Sequence, residues 1–138
     1  MKNDGNIGAK IEEYNWTSGW SNIEIYDVNG EKYLFLMKSS NGLVHIHKMK
    51  NDGTVGARLS TEDWTSGWTS SRFYIINKKT YLFLLKESDG TVHIHKMDDN
   101  GTMGGKVSTE DWSKGWTSVE ILDNFLFLLK SNGPAFVL

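Results

Sequence analysis

The sequence predicts an all-β chain made of three four-stranded antiparallel repeats of about 48 residues each, a period typical of repeat architectures. Three observations carry that prediction. The first is self-similarity: Trp16, Trp64 and Trp112 recur at one constant interval, and Gly5, Gly53 and Gly101 keep the same interval. The second is turn chemistry. Glycine occurs 14 times and proline once, and Asp-Gly and Asn-Gly pairs punctuate the chain where hairpins need positive φ. The third is period: the runs between these turns are β-branched, aromatic or alternating, and none sustains the period of an amphipathic helix.

Each unit holds four such runs, clearest in the middle one. Ser71 to Asn77 is β-branched and aromatic, and Thr80 to Lys86 is nearly continuously apolar. Thr91 to Met97 alternates Val92 and Ile94 with His93 and His95, and Gly56 to Ser60 is shorter and more polar. Asn-Lys-Lys, Ser-Asp-Gly and Asn-Asp-Gly elements separate the runs, and Trp-Thr-Ser-Gly-Trp reads as a loop. The apolar run recurs at Tyr33 to Lys38 and Phe125 to Lys130. Leu34 and Leu82 keep the repeat interval, but Leu126 comes early. That spacing predicts that the third unit has lost four residues in the turn before its apolar strand. The chain therefore reads as one repeat domain over 1–138, divided into 1–48, 49–96 and 97–138.

Two closures suit three such units. In the first they are β-propeller-like blades. Known rings have about four to eight blades, so two chains would pair into a six-bladed ring. The order of the runs fits this. The fourth run, Ile7 to Glu13, comes first, and the last run, Ala135 to Leu138, stands where Val-His-Ile-His-Lys stands elsewhere. Each N-terminal run would complete the partner's last blade and leave no open strand edge. In the second closure one chain forms a monomeric β-trefoil with pseudo-threefold symmetry, which needs three units and no partner. A propeller thus implies a homodimer and a trefoil a monomer.

The order Gly-Trp, strand, short turn, apolar strand, Ser-x-Gly, strand, Asn-Asp-Gly-x-x-Gly, strand, Trp resembles lectin-type β-propeller repeats. It looks like the tachylectin-2 and integrin-like lectin blades, in which Gly-Trp opens each blade. The resemblance spans all three units and is one of layout. It implies propeller blades and sugar binding. The Asp-x-Asp-x-Asp-Gly calcium loop of integrin-like blades is not matched: Asp27-Val28-Asn29-Gly30 keeps a fragment, and Ile76-Asn77-Lys78-Lys79 has no carboxylate. Calcium is therefore not implied, and no cofactor is expected.

Composition removes several function classes. A net charge of −2 and scattered Lys and Arg give no basic face for nucleic acid. With no cysteine there is no disulfide framework, thiolate metal site or cysteine nucleophile. No apolar run approaches the roughly 20 residues of a membrane span. Met1-Lys2-Asn3-Asp4-Gly5 offers no apolar signal region, so a cytoplasmic product, or one exported by another route, is expected.

The Trp-x-x-Gly-Trp loops are the leading candidate sites. They supply Trp16 and Trp20, Trp64 and Trp68, Trp112 and Trp116, with Thr17, Ser18, Thr65, Ser66 and Ser113 between them. Indole faces stack on the C–H faces of sugars, and Asn15, Asp63 and Asp111 beside the first Trp can accept hydrogen bonds from a sugar diol. The alternative for every one of these indoles is packing between units, most of all for Trp20, Trp68 and Trp116. His45 with His47, and His93 with His95, form His-x-His pairs whose members share a strand face. That spacing suits a zinc or nickel pair, but the third unit has Phe136 and Leu138 there. His45 and His93 are therefore taken as ligand-pocket residues and no metal is assigned.

Glu12, Glu13, Glu62, Asp63, Glu110 and Asp111 cluster before the tryptophans, and paired carboxylates beside aromatics are a glycosidase signature. Neighbouring residues on a strand point to opposite faces, however, and a hydrolase builds one site and not three. No G-x-S-x-G, phosphate loop or His-Glu-x-x-His is present. The expected function is thus a non-catalytic, multivalent carbohydrate-binding protein acting on glycans or glycoconjugates. The alternative is a protein-interaction or scaffold module, part of a toxin or surface assembly.

Overall fold

The structure, a computed structural model, describes all 138 residues and contains strands but no helix. The strands form three antiparallel sheets that are offset from the sequence units, because the fourth strand of the first sheet and of the second comes from the unit that follows. The first sheet is β1 (Asn22–Val28), β2 (Glu31–Met37), β3 (Leu43–Met49) and β4 (Val55–Asp63). The second is β5 (Ser70–Ile76), β6 (Lys79–Leu85), β7 (Thr91–Met97) and β8 (Met103–Asp111). The third has only β9 (Trp116–Leu122), β10 (Phe125–Lys130) and β11 (Ala135–Val137). Within each sheet the strands lie in chain order, and no barrel closes. No helix is long and apolar enough to cross a membrane.

The near-continuous apolar runs are explained by burial on both faces. On β2, Tyr33, Phe35 and Met37 face the second sheet and pack with Trp68, Leu82 and Leu84. On β6, Leu82 and Leu84 face back to the first sheet, while Phe83 and Leu85 turn to the third and meet Trp116, Val119 and Leu128. The middle sheet is thus sandwiched between two apolar layers, and its period-2 alternation sorts side chains to two neighbours.

The first strands of the sheets lie side by side, and a repeated position ties them together. Glu24, Arg72 and Glu120 hold the same place in successive units. Arg72 reaches both carboxylates, with Nη1 2.8 Å from Glu24 and Nη2 3.0 Å from Glu120. Tyr26 adds a second link by donating from its buried hydroxyl to the Gly101 carbonyl at 2.5 Å. The hairpin turn carrying Gly101 is thereby seated on the stacked Tyr26–Tyr33 pair of the first sheet.

The third unit's missing residues come from the hairpin itself, and its two-residue turn is kept. Unit two pairs Tyr74 with Tyr81 and continues through two more rungs to Ile76–Lys79, whereas unit three ends at Leu122–Phe125. Two residues are lost from each strand. Because side chains alternate with a period of two, an even loss per strand keeps every later residue on its face.

Most runs match their strands to within one or two residues, and two differ by more. The short polar run expected at Gly56 to Ser60 continues to Asp63, with register shifts near His47. Ile7 to Glu13, expected to be a strand, is not one: no neighbouring strand lies against it to complete a ladder, and backbone groups form a strand only in pairs.

Candidate functional site

The two tryptophans of each loop take different positions. The loop joins the last strand of one sheet to the first strand of the next. Trp68 and Trp116 lead into β5 and β9 and are 3% and 4% exposed, as members of the two apolar clusters. Trp64 and Trp112 are half-buried against the same clusters, and Trp16 is exposed. The packing alternative therefore describes Trp68 and Trp116, while the first tryptophan of each loop keeps ring surface at the outside.

In unit two the loop and the His-x-His strand enclose a cleft of about 270 Å³, lined by Trp64, Thr65, Trp68, Leu84, His93, His95 and Lys106. Trp64 stacks on His95 with centroids 5.8 Å apart and 14° between planes. Trp68 lies 4.7 Å from His93. Lys86 closes one end, with its ammonium 4.7 Å above the Trp68 ring and donating to Thr65 Oγ1 at 3.0 Å.

Unit one repeats this arrangement. Trp16 is 6.0 Å from His47, Trp20 is 4.7 Å from His45, and Lys38 sits 4.8 Å above Trp20 while donating to Thr17 Oγ1. Arg58 stands where Lys106 stands, with Nη1 3.5 Å from His45 Nε2. Unit three keeps Lys130 over Trp116 and its bond to Ser113, but its cleft is lined by Trp112, Trp116, Leu128, Phe136 and Leu138. The polar strand face has become apolar.

One property follows the histidines. Trp20 Nε1 and His47 Nε2 in unit one, and Trp68 Nε1 and His95 Nδ1 in unit two, are buried nitrogens without a hydrogen-bond partner. Unit three has no counterpart. The same residue pairs, Trp20 with His47 and Trp68 with His95, thus contribute a buried nitrogen apiece in the two units that carry histidines. Sequence reading could not find this, because it depends on how the loop folds over the strand. It also passed over Lys86, Lys106 and Arg58, although Lys38, Lys86 and Lys130 recur at one place in every repeat.

Asp63 and Asp111 end β4 and β8, exposed, outside the lining of the unit-two cleft, as Asn15 is exposed in unit one. Glu110 lines a separate apolar slot between the second and third sheets. No group of three or more His, Asp or Glu side chains converges as a metal-binding set.

Burial, reinforced by the nearby Lys106 charge, holds His93 below the ordinary histidine value. His95 shifts the same way for the same first cause, and His45 does so with Arg58 as its second. An unfolded chain therefore binds more protons than the folded one just below about pH 6.5, the ordinary histidine value. The stabilisation is complete above that value and is lost as pH falls from it toward the lowered folded values. Melting across the range from neutral to mildly acidic pH should show this, and the double variant His93→Phe/His95→Leu, which copies unit three, should flatten the dependence. An unchanged slope in that variant would assign the effect to other groups.

No protein-family model, no curated protein and no solved structure matches this chain.

Proposed function

We propose that this is a non-catalytic, multivalent carbohydrate-binding protein whose three sheets serve as propeller blades. Its working sites are the unit-two cleft and the matching tryptophan–histidine–lysine surface of unit one. The observation that carries this reading is the unit-two cleft with an indole at its lip, together with the same tryptophan–histidine–lysine contacts repeated in unit one. Trp16, which stacks on Tyr14, or Trp64, which stacks on His95, offers its remaining ring surface to a sugar's C–H face. The histidines and Lys106 or Arg58 lie beside it for hydroxyl groups. Two weak sites per chain gain by avidity, which exceeds single-site affinity by about 10²–10⁴-fold. Unit three, with Phe136 and Leu138, supplies structure. The stacking of two four-stranded sheets and one three-stranded sheet through their first strands supports blades over a trefoil.

A glycan array with multivalent readout and a chelator control tests this. Binding to a related set of glycans should survive chelation. The double variant Trp16→Ala/Trp64→Ala should lose about 100-fold or more in apparent affinity, and Trp112→Ala should keep it. A blank array would overturn the reading and favour the protein-interaction alternative. Full binding by the double variant would remove these clefts.

A further inference from the structure

We infer that a second copy of this chain closes the structure into a ring by docking its third sheet on this copy's first sheet, each N-terminal segment adding the fourth strand of its partner's third sheet. The inference is independent of what the clefts bind. It rests on contacts that the repeat makes between consecutive sheets and leaves open at the two ends.

The first is the apolar layer. Phe35 and Phe83 occupy one repeat position and are 0% and 2% exposed, each facing the next sheet; Phe127 occupies it in the third sheet and is 41% exposed. Leu122, Phe125, Leu129 and Val137 share that exposed face. At the other end the first sheet is open along its first strand, where Ile23 is 63% exposed whereas Ser71 and Val119 at the same position are covered by the preceding sheet; Leu34 and Leu36, at the positions of Leu82 and Leu84, are already buried. The open face of the third sheet thus has the composition of a surface that receives a sheet, and the open face of the first that of a surface received.

The second is the glycine turn. Met1–Asn6 folds as Asp98–Thr102 does: Lys2 N donates to Asn6 O at 2.8 Å and Gly5 N to Lys2 O at 3.1 Å, matching 2.9 Å and 2.9 Å in the later turn. Gly101 in that turn rests on Tyr33, while Gly5 and Gly53 meet nothing. Tyr74 and Tyr81 stack at 5.4 Å as Tyr26 and Tyr33 do at 5.5 Å, with no glycine turn on them. The Gly5 turn of the second copy fits there.

The third is the tryptophan loop. Gly42 and Gly90 carry the backbones of Trp64 and Trp112, whose N–H groups donate to their carbonyls at 2.9 and 3.0 Å. Gly133 holds the same place in the third unit with nothing against it, and Trp16 is the one first-position indole left exposed. Yet Trp16 and Trp20 already lie on His47 and His45 as Trp64 and Trp68 lie on His95 and His93. The N-terminal segment is held where the last strand of a preceding sheet would run, and β11 has a free edge for it. Such head-to-tail contacts give rings when the rotation closes and filaments when it does not.

Register transfers directly. β7 pairs His93 with Thr109, which places the partner's Glu13 opposite Phe136. Cα atoms of opposed residues lie about 4.5–5.5 Å apart, within disulfide range. The chain has no cysteine, so the double variant Glu13→Cys/Phe136→Cys gives a clean readout. The unmodified chain should sediment at twice its 15.7 kDa mass, and the double variant should oxidise to a covalent dimer that neither single variant forms. Phe127→Asp, on an exposed site that the lone fold does not need, should give a folded monomer by circular dichroism. A monomeric wild-type chain at micromolar concentration, a ladder of higher oligomers, or a disulfide within one chain would each overturn the inference.

Discussion

Trp68→Ala will cost about 3–5 kcal/mol of stability, the range for deleting a large buried aromatic, and will lower Tm by about 10 °C or more. The ring is 3% exposed and packs in the cluster between the first and second sheets. It also carries the Lys86 ammonium at 4.7 Å and His93 at 4.7 Å, so its loss opens a cavity and removes the floor of the unit-two cleft. Trp64→Ala, a half-buried site, will cost less stability while abolishing that cleft's platform. Thermal and denaturant unfolding of the two variants checks the order. A Trp68→Ala loss under about 1 kcal/mol would mean that the sheets are not held together through this ring.

Gly90→Ala will be comparably severe for a different reason. Gly90 has φ +80°, and a methyl group built on it would lie 2.0 Å from the Trp112 carbonyl oxygen. The neighbour is backbone, fixed by its own bond from Trp112 N to Gly90 O, and cannot rotate away. Positive φ alone costs alanine about 1–2 kcal/mol; displacing the tryptophan loop adds to it, for a total of about 3 kcal/mol or more. Gly30→Ala is the control, since Gly30 has φ +82° with open space around it and meets the conformational cost only. Denaturant midpoints for both variants decide: equal losses would show that the close approach does not limit Gly90.

Much of this was legible in the residues. The constant interval between tryptophans set the number of units, and Asp-Gly and Asn-Gly placed the turns. The alternation in Thr91 to Met97 put His93 and His95 on one strand face, where the structure has them. These signals are local: period and turn chemistry act within a few residues. The Gly56 to Ser60 boundary fell short because β4 is held by pairing to β3, and pairing across a sheet is not written in one strand's composition.

Local sequence ranked the indoles, favouring packing for Trp68 and Trp116, which are core, but it did not place them. Trp64 and Trp68 belong to one short loop, yet one is half-buried at a cleft and the other is core. Trp64 is tied by its N–H to Gly42, and Trp68 packs between two sheets beneath Lys86, contacts made by residues far from the loop in sequence. The Arg72 link to Glu24 and Glu120 is likewise visible only once three first strands stand side by side.

The sequence by itself determined a threefold β repeat, its hairpins, and the residue types facing each side of every strand, because strand period and φ preferences are short-range. Tertiary structure decided the rest. It packed Trp68 and Trp116 into the core while leaving Trp64 and Trp112 half-buried, and it left the N-terminal run without a ladder. Those outcomes depend on which sheet stands against which. Stacking is fixed by contacts between residues a whole repeat apart in the chain, beyond the reach of any local pattern.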